Sequence, residues 1–177
     1  MQRTSRRICD GNAEMKLRMG LCLGLCWVTF AAVAAEPLKP LRPDLWAGGQ
    51  PDRAQLEQFA KDGGTVVIDL RMPDEDRGLD EAKAVAELGL TYVNLPIDSH
   101  TGITADNARA LHEALAAASG PVLLHCRTGN RVGALLALDA VAQGSSREQA
   151  LELARRAGVD VMEPELREKL GCAVESC

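Results

Sequence analysis

The apolar positions along residues 41–170 switch repeatedly between two periods. Thr65–Leu70 (Thr-Val-Val-Ile-Asp-Leu), Leu90–Leu95 and Val122-Leu123-Leu124 are short, nearly continuous apolar runs, the pattern of strands covered on both faces. Stretches with helical spacing separate them. Pro51-Asp52 starts one that runs through Phe59-Ala60 and stops at Gly63-Gly64. Asp80 to Leu88 is the next, closed by Gly89. Thr104 caps a third, whose Ala108, Leu111, Leu115 and Ala118 form one apolar stripe before Gly120-Pro121 ends it. A fourth covers Val132 to Ala142, and Ser146 with Gln149 forms a capping box for a fifth, ending at Ala157. Leu45-Trp46-Ala47 adds a short strand before Gly48-Gly49, and Pro164 to Leu170 a short last helix. Repeated strand–helix–strand units with short connections predict right-handed crossovers and an α/β fold, its mainly parallel sheet flanked by helices. Ligands of such sheets bind at the carboxyl ends of the strands. That rule directs attention to the loop after Leu124.

Residues 20–35 break the alternation. They carry no charge, follow Lys16 and Arg18, and end in Ala-Ala-Val-Ala-Ala, the order of an export signal. Val33 and Ala35 fit cleavage before Glu36, and Ala32 with Ala34 offers a cut one residue earlier. The run falls short of the roughly 20 residues a spanning helix needs, which weakens an uncleaved anchor. Asp10 and Glu14 make the segment ahead of it unlike a signal, so Met15 or Met19 is an alternative start. A twin-arginine signal at Arg6-Arg7 and a lipid anchor at Cys26 are weaker readings: acidic residues intervene in the first, and Leu25 precedes the cysteine in the second. We therefore expect a signal peptide over 1–35, a periplasmic or secreted location, and one domain over 36–177.

Composition narrows the functional classes. With 46% hydrophobic and 25% charged residues, the 177-residue chain can bury the core of one domain. Aromatics at 3% leave little for stacking on bases. Residues 36–177 hold 15 Lys and Arg against 23 Asp and Glu, a net −8 that opposes nucleic-acid binding. His100, His112 and His125 lack ligand spacing, and there is neither a Cys-x-x-Cys pair nor a nucleotide-binding glycine motif, so no metal and no cofactor are expected. Of six cysteines, Cys9, Cys22 and Cys26 belong to the leader. Cys172 and Cys177 lie in the tail and are free to pair in an oxidising compartment. Cys126 is left for chemistry.

Cys126 opens the segment His125-Cys126-Arg127-Thr128-Gly129-Asn130-Arg131-Val132-Gly133, between a core strand and a helix. A loop of this kind turns backbone N–H groups toward one point, backed by the positive end of the helix dipole. Residues Arg127, Thr128, Gly129, Asn130 and Arg131 would thus form an oxyanion-binding loop, with Gly129 supplying backbone freedom. Its field favours a thiolate, which makes Cys126 a nucleophile candidate. Arg131 can grip two oxygens of an oxyanion with its planar fork. His125 is assigned to orienting the loop.

This loop resembles the signature of the cysteine-dependent phosphatases and the rhodaneses. Together with Gly49-Gln50-Pro51, Val67-Ile68-Asp69-Leu70-Arg71 and the segment from Leu88 to Asp98, it is similar to the bacterial phosphatase-like domain of beta-lactamase hydrolase-like proteins, relatives of dual-specificity phosphatases. The likeness runs from about Leu41 to Gly158. It implies a three-layer fold of the phosphotyrosine phosphatase II type, and a phosphate-ester small molecule or phosphoprotein as substrate. It further implies attack by Cys126 through a phosphocysteine, phosphoryl binding by Arg131, and protonation of the leaving oxygen by an acid. Asp98, 28 residues before Cys126, is the choice for that acid, with Asp74, Asp76 and His100 as alternatives.

Two features depart from the dual-specificity pattern. Four residues separate Cys126 from Arg131 where those enzymes have five, and Val132 replaces the hydroxyl residue that commonly follows the arginine. A shorter ring suits a rhodanese persulfide, and Asp69-Leu70-Arg71 resembles a rhodanese structural pair. Against this, the helix from Asp80 to Leu88 occupies the place of the usual rhodanese Gly-His-Ile-Pro-Gly-Ala stretch. The resulting expectation is an exported phosphatase-like hydrolase. Sulfur transfer through a Cys126 persulfide is the alternative, and non-catalytic binding of an oxyanion or a protein the third reading.

Overall fold

A computed structural model describes residues 38–172 and 177. The expected signal peptide lies outside the described residues. The elements run β1 (Lys39–Arg42), β2 (Leu45–Gly48), α1 (Arg53–Lys61), β3 (Val66–Asp69), α2 (Glu81–Glu87), β4 (Thr91–Asn94), α3 (Ala105–Ala116), β5 (Val122–His125), α4 (Asn130–Ala142), α5 (Arg147–Ala157) and α6 (Glu163–Lys169). They form a five-stranded sheet in the order β1-β2-β5-β3-β4. β2, β5, β3 and β4 are parallel, and β1 closes the edge antiparallel to β2.

Each strand sends alternate residues to opposite helix layers. Val67 and Leu123 pack with Leu56 and Phe59 of α1 and with Ala84 and Val85 of α2. Val66, Ile68, Val122 and Leu124 face the larger core against α3, α4 and α5. The result is the three-layer α/β arrangement expected. β3 and β5 are buried at all four positions, which explains why their sequence shows no polar alternation.

The parallel register brings the carboxyl ends of four strands level. Gly48 and Asp69 both pair with His125, and Asp69 pairs with Asn94. The loops that follow these residues therefore leave the sheet side by side.

Helix starts carry the expected chemistry where a side chain does the capping. The Asp52 carboxylate accepts from Gln55 N–H at 2.8 Å, the Thr104 hydroxyl from Asn107 N–H at 3.2 Å, and the Ser146 hydroxyl from Gln149 N–H at 3.2 Å. Two elements differ from expectation. β1 was not anticipated: Lys39-Pro40-Leu41-Arg42 has neither apolar run nor alternation, and proline is tolerated there because the strand is an edge with a register shift after Pro40. α4 starts at Asn130 rather than Val132, with Gly129 at its N-cap and no side-chain cap to announce it.

The sulfurs of Cys172 and Cys177 are joined, so Cys126 is the free cysteine among the described residues. Among those residues no helix is long and apolar enough to cross a membrane. On the exposed side of α5, Arg155 pairs with Glu163 at 2.6 Å, and Arg156 Nη2 donates to the Leu41 carbonyl at 2.8 Å.

Candidate active site

The loop after β5 is fastened on both sides. Cys126 N–H donates to the Gly48 carbonyl at 3.4 Å, and the Arg127 carbonyl accepts from Gln50 N–H at 3.0 Å. A Cβ on Gly49 would come within 3.0 Å of that same Arg127 oxygen, so the Gly-Gln pair is where the β2 loop passes closest to the cysteine loop. Gly129 has φ +96°, and a Cβ there would approach the Ala157 carbonyl oxygen to 3.1 Å. Glycine is required at this position on both grounds. Cys126 is 1% exposed, and Gly129 N–H donates to its Sγ at 3.2 Å.

Arg131 is the second residue of α4 and is almost entirely buried. Its Nη1 donates to the Ile97 carbonyl at 2.9 Å, and Nη1 and Nη2 grip the two oxygens of Glu75 at 2.6 and 2.7 Å. Burial works to lower its pKa, but the Glu75 bonds and the neighbouring Cys126 outweigh that and raise it. In return Arg131 holds the Glu75 carboxyl below the usual glutamate range, against the opposing effect of burial. Nη1 also reaches the Leu70 carbonyl at 3.4 Å, and the guanidinium is hydrogen-bonded to the Cys126 side chain.

Asn130 ties the cysteine loop to the segment between α5 and α6. Its Nδ2 donates to Thr128 Oγ1 at 3.1 Å and to Asp160 Oδ1 at 2.6 Å. Its Oδ1 accepts from the N–H groups of Asp160 at 3.0 Å and Met162 at 3.1 Å.

These residues wall a cavity of about 540 Å³ that Arg127, Thr128, Asn130 and Arg131 share with Glu75, Asp98 and His100. Asp98 lies at its exposed side. Its Oδ1 accepts from Thr101 N–H at 2.8 Å, His100 N–H at 2.9 Å and the Thr101 hydroxyl at 2.9 Å, and these bonds hold its pKa below the usual aspartate range. Asp74 also lines the cavity. Asp76 does not: it is turned into its own loop, accepting from Gly78 N–H at 2.9 Å. Among the candidate acids, then, the fold gathers Asp98, Asp74 and His100 around Arg131.

A buried polar cluster lies beneath the loop. Arg71 Nε and Nη2 grip Asp69 at 2.9 and 3.0 Å, and Nη2 also bonds to Glu81. His125 Nε2 lies 2.7 Å from Glu81 Oε1, although not aligned as a hydrogen bond, and Nδ1 is 3.3 Å from the Cys126 carbonyl oxygen. Tyr92 donates its hydroxyl to Asp69 at 2.8 Å, and its own pKa is pushed up to about 12, first by burial and then by that carboxylate. Burial tends to raise the Asp69 pKa, but Arg71, the charge of His125 and the Tyr92 bond together bring it below the ordinary value. Asp69, Glu81 and His125 place one ligand-type atom each within 4.8 Å of one another. No sequence spacing revealed this trio, because it is drawn from three separate elements. Arg71 pairs with both carboxylates and supplies their counter-charge, which disfavours a cation there.

Sequence reasoning overlooked Glu75, Glu81 and the linking role of Asn130. Glu75 and Glu81 are ordinary acids in or near a polar loop, and their partners lie 56 residues away (Arg131) and 44 residues away (His125).

The comparisons with known proteins fit this geometry. The chain is 34% identical over 108 residues to the beta-lactamase hydrolase-like protein of Xylella fastidiosa (strain Temecula1), matching 59% of this chain and 25% of that one. It thus spans about a quarter of the length of the curated relatives it matches. Two solved structures show the fold. A Neisseria meningitidis protein assigned to the phosphatases superposes with a TM-score of 0.64 at 24% identity, over 73% of this chain and 96% of its own. Pseudomonas aeruginosa TpbA, solved in complex with phosphotyrosine, superposes with a TM-score of 0.57 at 21% identity, over 79% and 95% of the two chains. The three-layer architecture is that of the cysteine phosphatases, and the likeness read from the cysteine loop and the Gly-Gln-Pro segment holds over residues 37–145. With residues 37–145 matching the family model described as the phosphatase-like domain of beta-lactamase hydrolase-like proteins, the chain belongs to that family.

Proposed function

We propose that the chain is an exported phosphomonoesterase that works through a phosphocysteine on Cys126. The observation that carries this reading is the shared loop. The Cys126 thiol is seated against Gly129 N–H, and Arg131 of the same loop hydrogen-bonds that side chain and lines the cavity. A thiolate, a bidentate clamp and a ring of backbone N–H groups are what in-line attack on phosphorus requires.

In the first step the Cys126 thiolate forms an S–P bond as the P–O bond to the leaving group breaks, and Asp98 gives its proton to the departing oxygen. In the second, water attacks phosphorus and the S–P bond breaks. Asp98 takes the water's proton, inorganic phosphate leaves and the thiolate returns. Backbone and hydroxyl donors keep Asp98 ionised, so it must gain its proton beside the substrate. The negative charge of a bound phosphoryl group raises its proton affinity there. Glu75 fixes the guanidinium so that the Nε–Nη2 edge meets the anion. TpbA holds a phosphotyrosine, and we extend phosphate-ester recognition to this chain on that likeness.

Purified protein is expected to hydrolyse an aryl phosphate, and Cys126→Ser to abolish that activity. Intact-mass spectra of a quenched reaction are expected to show phosphate on Cys126. One observation favours a second reading: four residues, not five, separate Cys126 from Arg131, with Val132 after the arginine. A smaller ring with no hydroxyl beside the sulfur suits a persulfide, and thiocyanate formation from thiosulfate and cyanide would establish that chemistry instead. Sulfate or phosphate binding with inactivity in both assays would leave an anion-binding module.

A further inference from the structure

We propose that the leaving-group side of this site takes an apolar aryl or alkyl group carrying no further negative charge, and that Val161 is the surface it packs on. The inference rests on the phosphatase reading and names its substrate class.

Val161 is 80% exposed, and among the described residues it is the one large hydrophobic side chain left so open. It lines the same cavity as Arg131, as do Met72 and Met162. Exposed apolar residues are common singly and usually need no explanation. This one differs because its backbone is held in place relative to the reactive loop. The N–H groups on either side, of Asp160 and Met162, both donate to Asn130 Oδ1, at 3.0 and 3.1 Å. Asn130 in turn bonds Thr128 within the cysteine loop at 3.1 Å. Val161 N–H is bonded to the Asp160 carboxylate. A valine held open at a fixed offset from the phosphoryl seat already has its backbone ordered, so packing on it costs little further entropy.

The charges on the wall set the second half of the inference. Asp74, Asp98 and Glu165 line the cavity, while its cations are Arg127 and Arg131. Glu75 already opposes the charge of Arg131 at 2.6 Å. A single phosphoryl group is held by the loop N–H groups and the Arg131 edge beside Cys126. A second anionic group would find Arg127 alone against three carboxylates, and like charges this close disfavour it. A cavity of about 540 Å³ has room for one aryl group beside the phosphate.

The test uses the purified chain and four probes: 2-naphthyl phosphate, glycerol 2-phosphate, 4-carboxyphenyl phosphate and inositol hexakisphosphate. We expect kcat/KM to be highest for the naphthyl ester and lowest for the two extra-charged probes. In Val161→Ser the naphthyl-to-glycerol ratio is expected to narrow roughly fivefold, the factor that partly burying one valine supplies. In Asp74→Asn/Glu165→Gln the carboxyphenyl ester is expected to gain relative to the naphthyl ester. Val161 is exposed, so Val161→Ser should melt with the parent protein and its kinetics report contact rather than folding. A preference for inositol hexakisphosphate, or a naphthyl-to-glycerol ratio untouched by Val161→Ser, would overturn this inference while leaving the phosphatase reading intact. If none of the four is hydrolysed, with Cys126→Ser indistinguishable from the parent, both fall together.

Discussion

Glu75→Gln tests how Arg131 is made ready for an anion. The side chains are 22% and 5% exposed, and the carboxylate spans both Nη atoms at 2.6 and 2.7 Å. Glutamine keeps the length and one acceptor oxygen but removes the charge and the bidentate grip. Losing one partner of a fully buried pair costs about 3–5 kcal/mol. Here Glu75 is partly solvated and Arg131 keeps the Ile97 carbonyl at 2.9 Å, so we discount the loss to about 1–2 kcal/mol, or about 3–6 °C in Tm. The pH dependence has a definite sign. Arg131 depresses the folded-state pKa of Glu75, so the stabilisation is present above the ordinary glutamate value of about 4.3 and disappears as pH falls through the folded value. The Tm gap between parent and Glu75→Gln is therefore expected at neutral pH and to close in acid. For activity, a guanidinium free to turn meets the phosphoryl group less often in line, and kcat/KM for an aryl phosphate is expected to fall about tenfold, equivalent to about 1.4 kcal/mol. The competing view is that Glu75 sits where the anion would, as a competitor for Arg131. That view requires Glu75→Gln to bind phosphate more tightly and to turn over faster. A gain in either, measured by inhibition constants and steady-state kinetics, would refute the positioning argument.

Other substitutions probe the remaining parts of the site. Asp98→Asn is expected to lower turnover of an alkyl phosphate far more than that of 4-nitrophenyl phosphate, whose leaving group needs no proton; equal losses on both would remove Asp98 from the acid role. Gly129→Ala places a side chain at φ +96° and 3.1 Å from the Ala157 carbonyl, for an expected loss of about 1–2 kcal/mol read by urea denaturation. Arg71→Leu leaves Glu81 buried without its arginine and Asp69 with Arg77 alone, at 3.4 Å. A loss of about 3–5 kcal/mol is expected, read as a lower urea midpoint with m unchanged.

Most of the fold could be read from local pattern, because the strands and helices are marked by period and punctuated by glycine. Two long-range features of the site could not. Glu75 and Arg131 meet only because the loops after β3 and β5 leave adjacent strands at the same level, Asp69 and His125 being register partners. Nothing local distinguishes Glu75 from Asp74 or Asp76, its neighbours in the same polar loop. The cluster of Asp69, Arg71, Glu81 and His125 is likewise a product of register. Cys126, Gly129 and Arg131 were legible because their chemistry depends on spacing within one loop, which a sequence displays directly. β1 was hidden for the opposite reason: as an edge strand it needs no apolar signature, and three of its four residues are exposed.

The charge pattern around Cys126 bears on how the proposed site would attract an anion. Arg131 is the cation nearest the thiol, but its charge is opposed by a carboxylate in bidentate contact. Beneath the loop, Arg71 is likewise matched against Asp69 and Glu81. Neither arginine therefore presents an uncompensated charge to an incoming phosphate. Beside the Arg131 hydrogen bond, dipoles point at the thiol: Gly129 N–H at 3.2 Å and the first turn of α4, which begins immediately after it. Oriented dipoles of this kind act at contact range and fall off within a turn. This explains the weight carried by Gly129, at φ +96°, and by the Asn130 ties. On the proposed reading they hold a ring whose binding of an anion depends on geometry more than on net charge, since residues 36–177 carry a net −8.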